Sequence, residues 1–387
     1  MAKKKDSEEK INFEELDDKS KNKLINDAFS VLDSVNARAS MLDNAQSNIT
    51  DFEDTGCYIL NALLSGNLKG GFPEGRMSVL AAPSSAGKSL IALQTAAYAQ
   101  KKGKTVVIFD SENADSVEFA QNVGLDVSKV KYFPCFTIEE CTFAIYKFLK
   151  FVSDNNMENK FFIVIDSLAA MSSELDTKRI EAENSASDMG TFAKSLKKLI
   201  KTCVSMAASS KTTIVATNHI YNDPSALYPG IEKKQPGGEA VIYFPSTIVQ
   251  LSKNAVKEDN NYKIEDKATL GGADRSGIII TGLSIKNRIC KPYVKANMYL
   301  SWENGFSKYY GLLDLALEFG ILYNKAGFIY SYTNEEEAGI TRDTRLGSSK
   351  ELAFSEEFWE KYIPVLQRAI DEHWKYKMHN REETELS

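Results

Sequence analysis

The sequence predicts an α/β fold built on a mostly parallel sheet, and three observations predict it. Short apolar runs at Met77–Ala82, Thr105–Asp110, Phe161–Asp166 and residues 212–217 have the length and composition of strands buried on both faces. Segments 89–101, 138–152 and 189–207 fall between them with helical periodicity, the last placing Met189, Phe192, Leu196, Leu199 and Cys203 on one face. Between the first strand and the first helix stands Ala82-Pro83-Ser84-Ser85-Ala86-Gly87-Lys88-Ser89, the context of a phosphate-binding loop. Strands alternating with helices imply a doubly wound sheet, whose ligand crevice lies beyond the carboxyl ends of the strands.

Bulk properties narrow the function classes. At 387 residues the chain can hold one large core domain with smaller appendages. Hydrophobic residues at 43% and charged residues at 26% are ordinary for a globular protein. The richest apolar run, 161–171, is broken by Asp166, so no membrane span is expected. The N-terminus MAKKKDSEEK has no apolar signal core, and its acidic residues count against a transit peptide, so a cytoplasmic location is expected. Cys57, Cys135, Cys141, Cys203 and Cys290 form no CxxC pair. Neither zinc site nor disulfide framework follows, and four or more should be buried thiols. The net charge of −6 means that any nucleic-acid binding must come from local basic loops.

Taken in order, residues 1–20 form a charged, solvated tail. Leu24, Ile25, Ala28, Phe29, Leu32 and Val35 predict an amphipathic helix over 22–35, followed by a polar linker, so 1–54 is a separate segment. Residues 55–302 form the core; its later part is strand-rich (247–252, 277–286, 294–302), with polar 253–275 as a long hairpin loop. A small α+β module, 303–387, closes the chain with a helix over 358–376 and a polar tail. No internal repeat is visible.

The loop Pro83–Leu90 predicts the nucleotide site. Pro83 would shape the loop, and backbone N–H groups of Ser84, Ser85, Ala86, Gly87, Lys88, Ser89 and Leu90 would nest phosphate oxygens at a helix N-terminus. Lys88 would reach the β- and γ-phosphates of ATP, and Ser89 would ligate Mg²⁺. Alanine replaces glycine at the first motif position, Ala82, and excludes a positive φ there. Asp166, at the tip of an apolar strand, suits the Mg²⁺-binding carboxylate. Glu112, at another tip, suits the general base that activates water. Either carboxylate could instead cap the helix that follows.

The joint order of these motifs resembles the RecA recombinases. Segments 55–66 (TGCYILNALLSG) and 71–76 (GFPEGR) are similar to the stretch before that family's phosphate loop, and Asp110-Ser111-Glu112 matches its catalytic glutamate. Thr217-Asn218-His219 stands where the bacterial members carry Asn-Gln, and the histidine favours the UvsX-like phage branch. The resemblance covers about 55–332, weakening through Tyr310-Gly311-Leu312-Leu313-Asp314-Leu315. It implies a RecA-like ATPase core that hydrolyses ATP with Mg²⁺, polymerises head to tail on single-stranded DNA, and exchanges strands with double-stranded DNA. A single-strand-binding protein and a loader would assist, in a host cytoplasm if the gene is a phage's.

Residue by residue, the resemblance makes Asn218 and His219 sensors of the γ-phosphate, the place in the motif outweighing the alternative of His219 as a backbone-bonded strand end. It makes Phe119 an adenine-stacking ring, a role that a place in a helix core would rival. Two loops, 174–188 with Lys178 and Arg179 and 220–239 with Tyr221, Lys233, Lys234, Gly237 and Gly238, become the DNA-binding loops. Lys286 and Arg288 match a cation pair that reaches a neighbour's ATP. A hexameric helicase on the same core, or a non-catalytic ATP-binding recombination mediator, are the competing readings. The apolar stripe of the N-terminal helix could pack on its own core or dock on the next protomer.

Overall fold

The computed structural model describes residues 16–35, 48–112, 116–182, 189–221, 233–254, 277–334 and 339–376. The charged tail up to 15, most of the linker and hairpin loop 253–275, the centre of the second loop and the polar C-terminal tail lie outside them. The chain divides into two units, Met1–Asn48 and Ile49–Ser387. In the first, α1 (Asp18–Val35) begins four residues before the predicted helix, because Asp17 accepts a 3.1 Å hydrogen bond from the Ser20 amide. None of its residues is buried, and Ile25, Phe29, Leu32 and Val35 stand exposed.

The second unit opens with β1 (Phe52–Glu53), α2 (Tyr58–Ser65) and β2 (Phe72–Pro73), β1 pairing antiparallel with β2. Asn61 ties this segment together, accepting from the Thr55 amide and hydroxyl and donating to Asp54 and the Leu68 carbonyl. Next come β3 (Met77–Ala82), α3 (Lys88–Lys101), β4 (Thr105–Asp110), α4 (Val117–Asn122), β5 (Val130–Pro134), α5 (Ile138–Asp154) and β6 (Phe161–Asp166). The chain continues through α6 (Glu174–Glu181), α7 (Met189–Ser210), β7 (Thr213–His219), α8 (Ala240–Tyr243), β8 (Thr247–Asn254), β9 (Gly277–Asn287), β10 (Lys295–Ser301) and β11 (Gly305–Phe306).

These strands form one sheet in the order β11-β10-β9-β8-β3-β7-β6-β4-β5, parallel from β8 to β5 and antiparallel at the β9–β11 end. Its two faces explain the continuous apolar runs. Successive strand residues point to opposite sides. Leu80, Val106, Ile108, Phe162, Val164 and Val215 join a core with α2 and α3, while Val79, Val107, Phe109, Ile163, Ile165 and Ile214 join a second core with α5 and α7. All five cysteines are buried thiols.

The C-terminal segment adds α9 (Leu312–Glu318), a three-stranded antiparallel sheet of β12 (Leu322–Lys325), β13 (Phe328–Ser331) and β14 (Arg345–Ser348), then α10 (Ser349–Leu352) and α11 (Glu356–His373). Trp359, Tyr362 and Leu366 of α11 share the α2 core. Gln367 accepts from the Leu68 amide at 2.8 Å and donates to the Gly66 carbonyl at 2.9 Å.

Three expectations need correction. The first loop, 174–188, starts as α6, whose Asp176 amide is capped by Ser173 at 3.1 Å, so Lys178 and Arg179 lie on a helix. The last helix ends at His373 rather than at 376. Finally, α4 and β5 occupy a stretch for which no element was expected.

Candidate functional site

The strand tips of β3, β4, β6 and β7 assemble the site, because parallel neighbours bring their carboxyl ends level: Ala82 pairs with His219 and Asp110 with Asp166. Ala82 continues the strand, so alanine in place of the motif's first glycine costs nothing. Positive φ is needed instead at Gly87 (+85°), the residue that caps α3. A Cβ there would come within 3.1 Å of Ile280 and 3.5 Å of Leu300.

Lys88 is buried and donates to the Ala82 and Pro83 carbonyls at 3.2 and 3.1 Å. Burial pushes its ammonium below the ordinary lysine value, against the pull of Asp166 and Glu112. Asp166 is buried too, and burial pushes its carboxyl above the usual value although the Ser89 and Thr217 hydroxyls donate to it. Among the described residues no three His, Cys, Asp or Glu side chains cluster as a metal site. Ser89 and Asp166, which share a hydrogen bond, present hydroxyl and carboxylate oxygens, the donor type that suits a hard cation.

Glu112 shows the reverse shift. Burial raises its carboxyl, but a 2.6 Å hydrogen bond from Ser167 and a 3.0 Å contact with His219 Nε2, aided by the charges of His219 and Lys88, bring it below the usual value. Asp110 accepts the Glu112 amide at 2.9 Å and the Tyr132 hydroxyl at 3.0 Å. The neighbouring Asn218 amide donates to Gln235 at 3.0 Å, joining this tip to the far end of the second loop.

The other sequence-predicted residues are spread around this centre. Phe119, beside its Ser116 cap, lines a cavity of about 560 Å³ with Leu90, Gln94, Tyr98 and Trp302. Trp302 went unmarked in the sequence, where its only signal is an aromatic at the end of a predicted strand. Tyr221 donates its amide to the Lys234 carbonyl at 3.0 Å, closing the base of the second loop, and Lys233 donates its amide to Gln250 at 3.2 Å. Arg179 pairs with Asp176 at 3.7 Å within α6. Gly237 has a packing reason to be glycine: at φ +98° its Cβ would lie 2.1 Å from Leu196. Gly238, at φ +68°, has only Ala193 near it, at 4.0 Å.

Lys286 and Arg288 stand apart from Lys88. Ile248 pairs with Lys286, and the Ser246 carbonyl accepts the Arg288 amide while its amide donates to Met77. Both cations therefore sit by the amino ends of the parallel strands, away from the phosphate loop at their carboxyl ends. Lys286 donates to the carbonyls of Ile242 and Tyr243, and Arg288 to that of Tyr243. Burial, then the Arg288 charge, lowers the Lys286 ammonium to about 8.

Comparison with known proteins gives the family. Curated relatives include the plasmid-borne Protein RecA of Lactococcus lactis subsp. lactis, 29% identical over 69% of this chain and 71% of that protein. Protein RecA of Mycoplasma genitalium is 29% identical over 70% and 73%. Protein RecA of a Wolbachia strain from Drosophila simulans is 27% identical over 86% and 84%. The family model of the RecA N-terminal domain matches residues 23–307, most of the chain, so this protein belongs to the RecA family of recombinases.

Proposed function

We propose that the protein is an ATP-driven DNA recombinase of the UvsX-like branch, which polymerises on single-stranded DNA and exchanges strands with a homologous duplex. The observation that carries the reading is the contact of Glu112 with His219 at 3.0 Å, beside the buried Lys88 and Asp166. It joins a base to the strand that enters the second DNA loop, so hydrolysis and DNA binding can report on one another. Bound between Ser89 and Asp166, Mg²⁺ would neutralise phosphate charge.

The chain's own groups have separate tasks. Lys88 exchanges its loop carbonyls for the β- and γ-phosphates. Glu112 orients water and takes its proton. Phe119 and Trp302 offer ring faces to the adenine. Lys286 and Arg288 reach the ATP of the next protomer, where the Arg288 fork would hold phosphate in two contacts. Lys178, Arg179, Lys233 and Lys234 neutralise DNA phosphates, and Tyr221, half exposed, can stack on a base. The exposed stripe of α1 docks on the neighbouring protomer, and a head-to-tail contact that does not close yields a helix. A loader and a single-strand-binding protein complete the expected partners. A ring helicase on the same core is the weaker reading, since the matching family model and the curated relatives are those of RecA.

Electron microscopy with ATP and single-stranded DNA, together with DNA-stimulated hydrolysis, tests the proposal. Wild-type protein should form filaments and hydrolyse ATP, and Lys88→Ala should lose hydrolysis while keeping its native circular dichroism. Rings, or wild-type turnover by Lys88→Ala, would overturn it.

A further inference from the structure

Beyond the residues already given roles, the tips of β4 and β6 carry two serines that interlock. The Ser111 hydroxyl donates to the Ser167 carbonyl at 2.7 Å, and the Ser167 amide donates back to Ser111 Oγ at 2.9 Å. The Ser111 amide adds a 2.8 Å bond to the Asp166 carbonyl. With its backbone held in this way, fully buried Ser167 has its hydroxyl free to point one way, and it donates to Oε1 of Glu112 at 2.6 Å. His219 Nε2 meets the same oxygen at 3.0 Å. Oε1 is thus engaged twice, while no described residue hydrogen-bonds Oε2.

We propose that Ser167 is a positioning residue for ATP hydrolysis, with Ser111 as its support, and that Oε2 of Glu112 is the oxygen that receives the proton from water. The inference rests on the reading of Glu112 as the base. A carboxylate whose two oxygens were equivalent could turn about its last bond, and the water would meet a base at a spread of angles. Two donors on one oxygen stop that rotation. Of the two, His219 stands at the end of the strand that enters the second loop, whereas Ser167 is tied to the neighbouring strand tip through Ser111. Ser167 therefore keeps the base aimed whatever the second loop does. Nothing in this role touches nucleotide, so the loss of the hydroxyl should fall on turnover and not on ATP affinity.

The test measures kcat and KM for ATP, with saturating single-stranded DNA, in the full chain carrying Ser167→Ala, Ser111→Ala, Glu112→Gln, or Ser167→Ala with Glu112→Gln. Ser167→Ala should lower kcat by about ten- to a hundredfold with KM for ATP within about twofold of wild type. Ser111→Ala should act in the same direction and less. In the Glu112→Gln background, measured by single turnover, Ser167→Ala should cost almost nothing more, since it works through Glu112. Wild-type kcat in Ser167→Ala while Glu112→Gln is inactive would overturn the positioning role alone. An active Glu112→Gln would overturn the base assignment itself. A kcat loss that is undiminished in the Glu112→Gln background, or matched by a rise in KM, would make Ser167 a structural residue and sink the proposal. Nucleotide binding by fluorescence and thermal unfolding on the same variants reveal any folding defect, and Ser111→Ala keeps the question decidable if Ser167→Ala misfolds.

Discussion

Arg288→Ala and Glu112→Gln, each inactive alone, should restore ATP hydrolysis to one another when mixed on single-stranded DNA. The reason is distance along the sheet. Arg288 is level with Ser246 and Met77, and the phosphate loop begins beyond Ala82. Five residues of strand at about 3.3 Å each place roughly 16 Å between them before the loop itself is counted. An arginine side chain falls well short of that, so a site needing Arg288 must take it from a neighbour. Arg288→Ala then damages the next protomer's site, and Glu112→Gln damages only its own. Loss of a cation or of a base should each reduce turnover by about a hundredfold or more. Random assembly of equal amounts makes roughly a quarter of junctions wild-type in composition, so the rate should climb to about a quarter of the wild-type value. The assay is ATP hydrolysis against mixing ratio, with co-assembly verified by fluorescence transfer between labelled variants. A rate that never exceeds the two separate variants in co-assembled filaments would refute the shared site.

Other predictions test separate parts of the same reading. Neutralising Lys233 and Lys234 together should weaken single-stranded DNA binding and flatten its log–log salt dependence by about one to two units; an unchanged slope would move the DNA site elsewhere. In His219→Ala, Glu112 loses one of the hydrogen bonds that offset its burial, so its carboxyl rises and the active ionised form is lost at a higher pH as the solution is acidified. The acidic limb of kcat should shift upward accordingly, and an unmoved limb would assign that limb to another group. Gly237→Ala forces a Cβ to 2.1 Å from Leu196 at φ +98° and should destabilise the fold by about 1–3 kcal/mol in thermal unfolding, with Gly238→Ala clearly milder. Equal effects at the two glycines would contradict the packing role.

What the sequence made legible follows from where each element is buried. β3, β4 and β6 were readable to the residue because both faces of each strand enter a core, which selects unbroken apolar runs. β5 was not: as the edge strand, with Lys131 and Tyr132 facing out, Val130–Pro134 offers no such run. The six residues of α4 are too few to establish a period. In α6, ELDTKRIE has no apolar stripe, and its helix begins at the Ser173 cap, so residue type pointed to a loop. The turn between β3 and α3 and the carboxylates at the strand tips were legible because contiguous residues define them. Ser167 and Trp302 were not, since their value depends on partners more than fifty residues away, Glu112 for one and the Phe119 cavity for the other.

Glu112 and Asp166 lie at neighbouring strand tips, yet their environments push them apart. Asp166 is buried at its strand tip, with the Ser89 and Thr217 hydroxyls as its side-chain donors among the described residues, so its negative charge is costly. On the proposed reading, a bound Mg²⁺ would relieve that cost. Glu112 keeps partial access to solvent, and although burial pulls the other way, Ser167 and His219 stabilise its charge and hold its carboxyl below the usual value. As the proposed base, Glu112 would have its strength limited by the same hydrogen bonds that hold it. Two acids of like chemistry thus divide the work by burial and partners alone. The division also explains why the His219 contact falls on Glu112 rather than on Asp166. On the proposed reading, a loop that signals DNA would adjust the partly exposed Glu112 at small cost, whereas disturbing buried Asp166 would unseat the nucleotide as well.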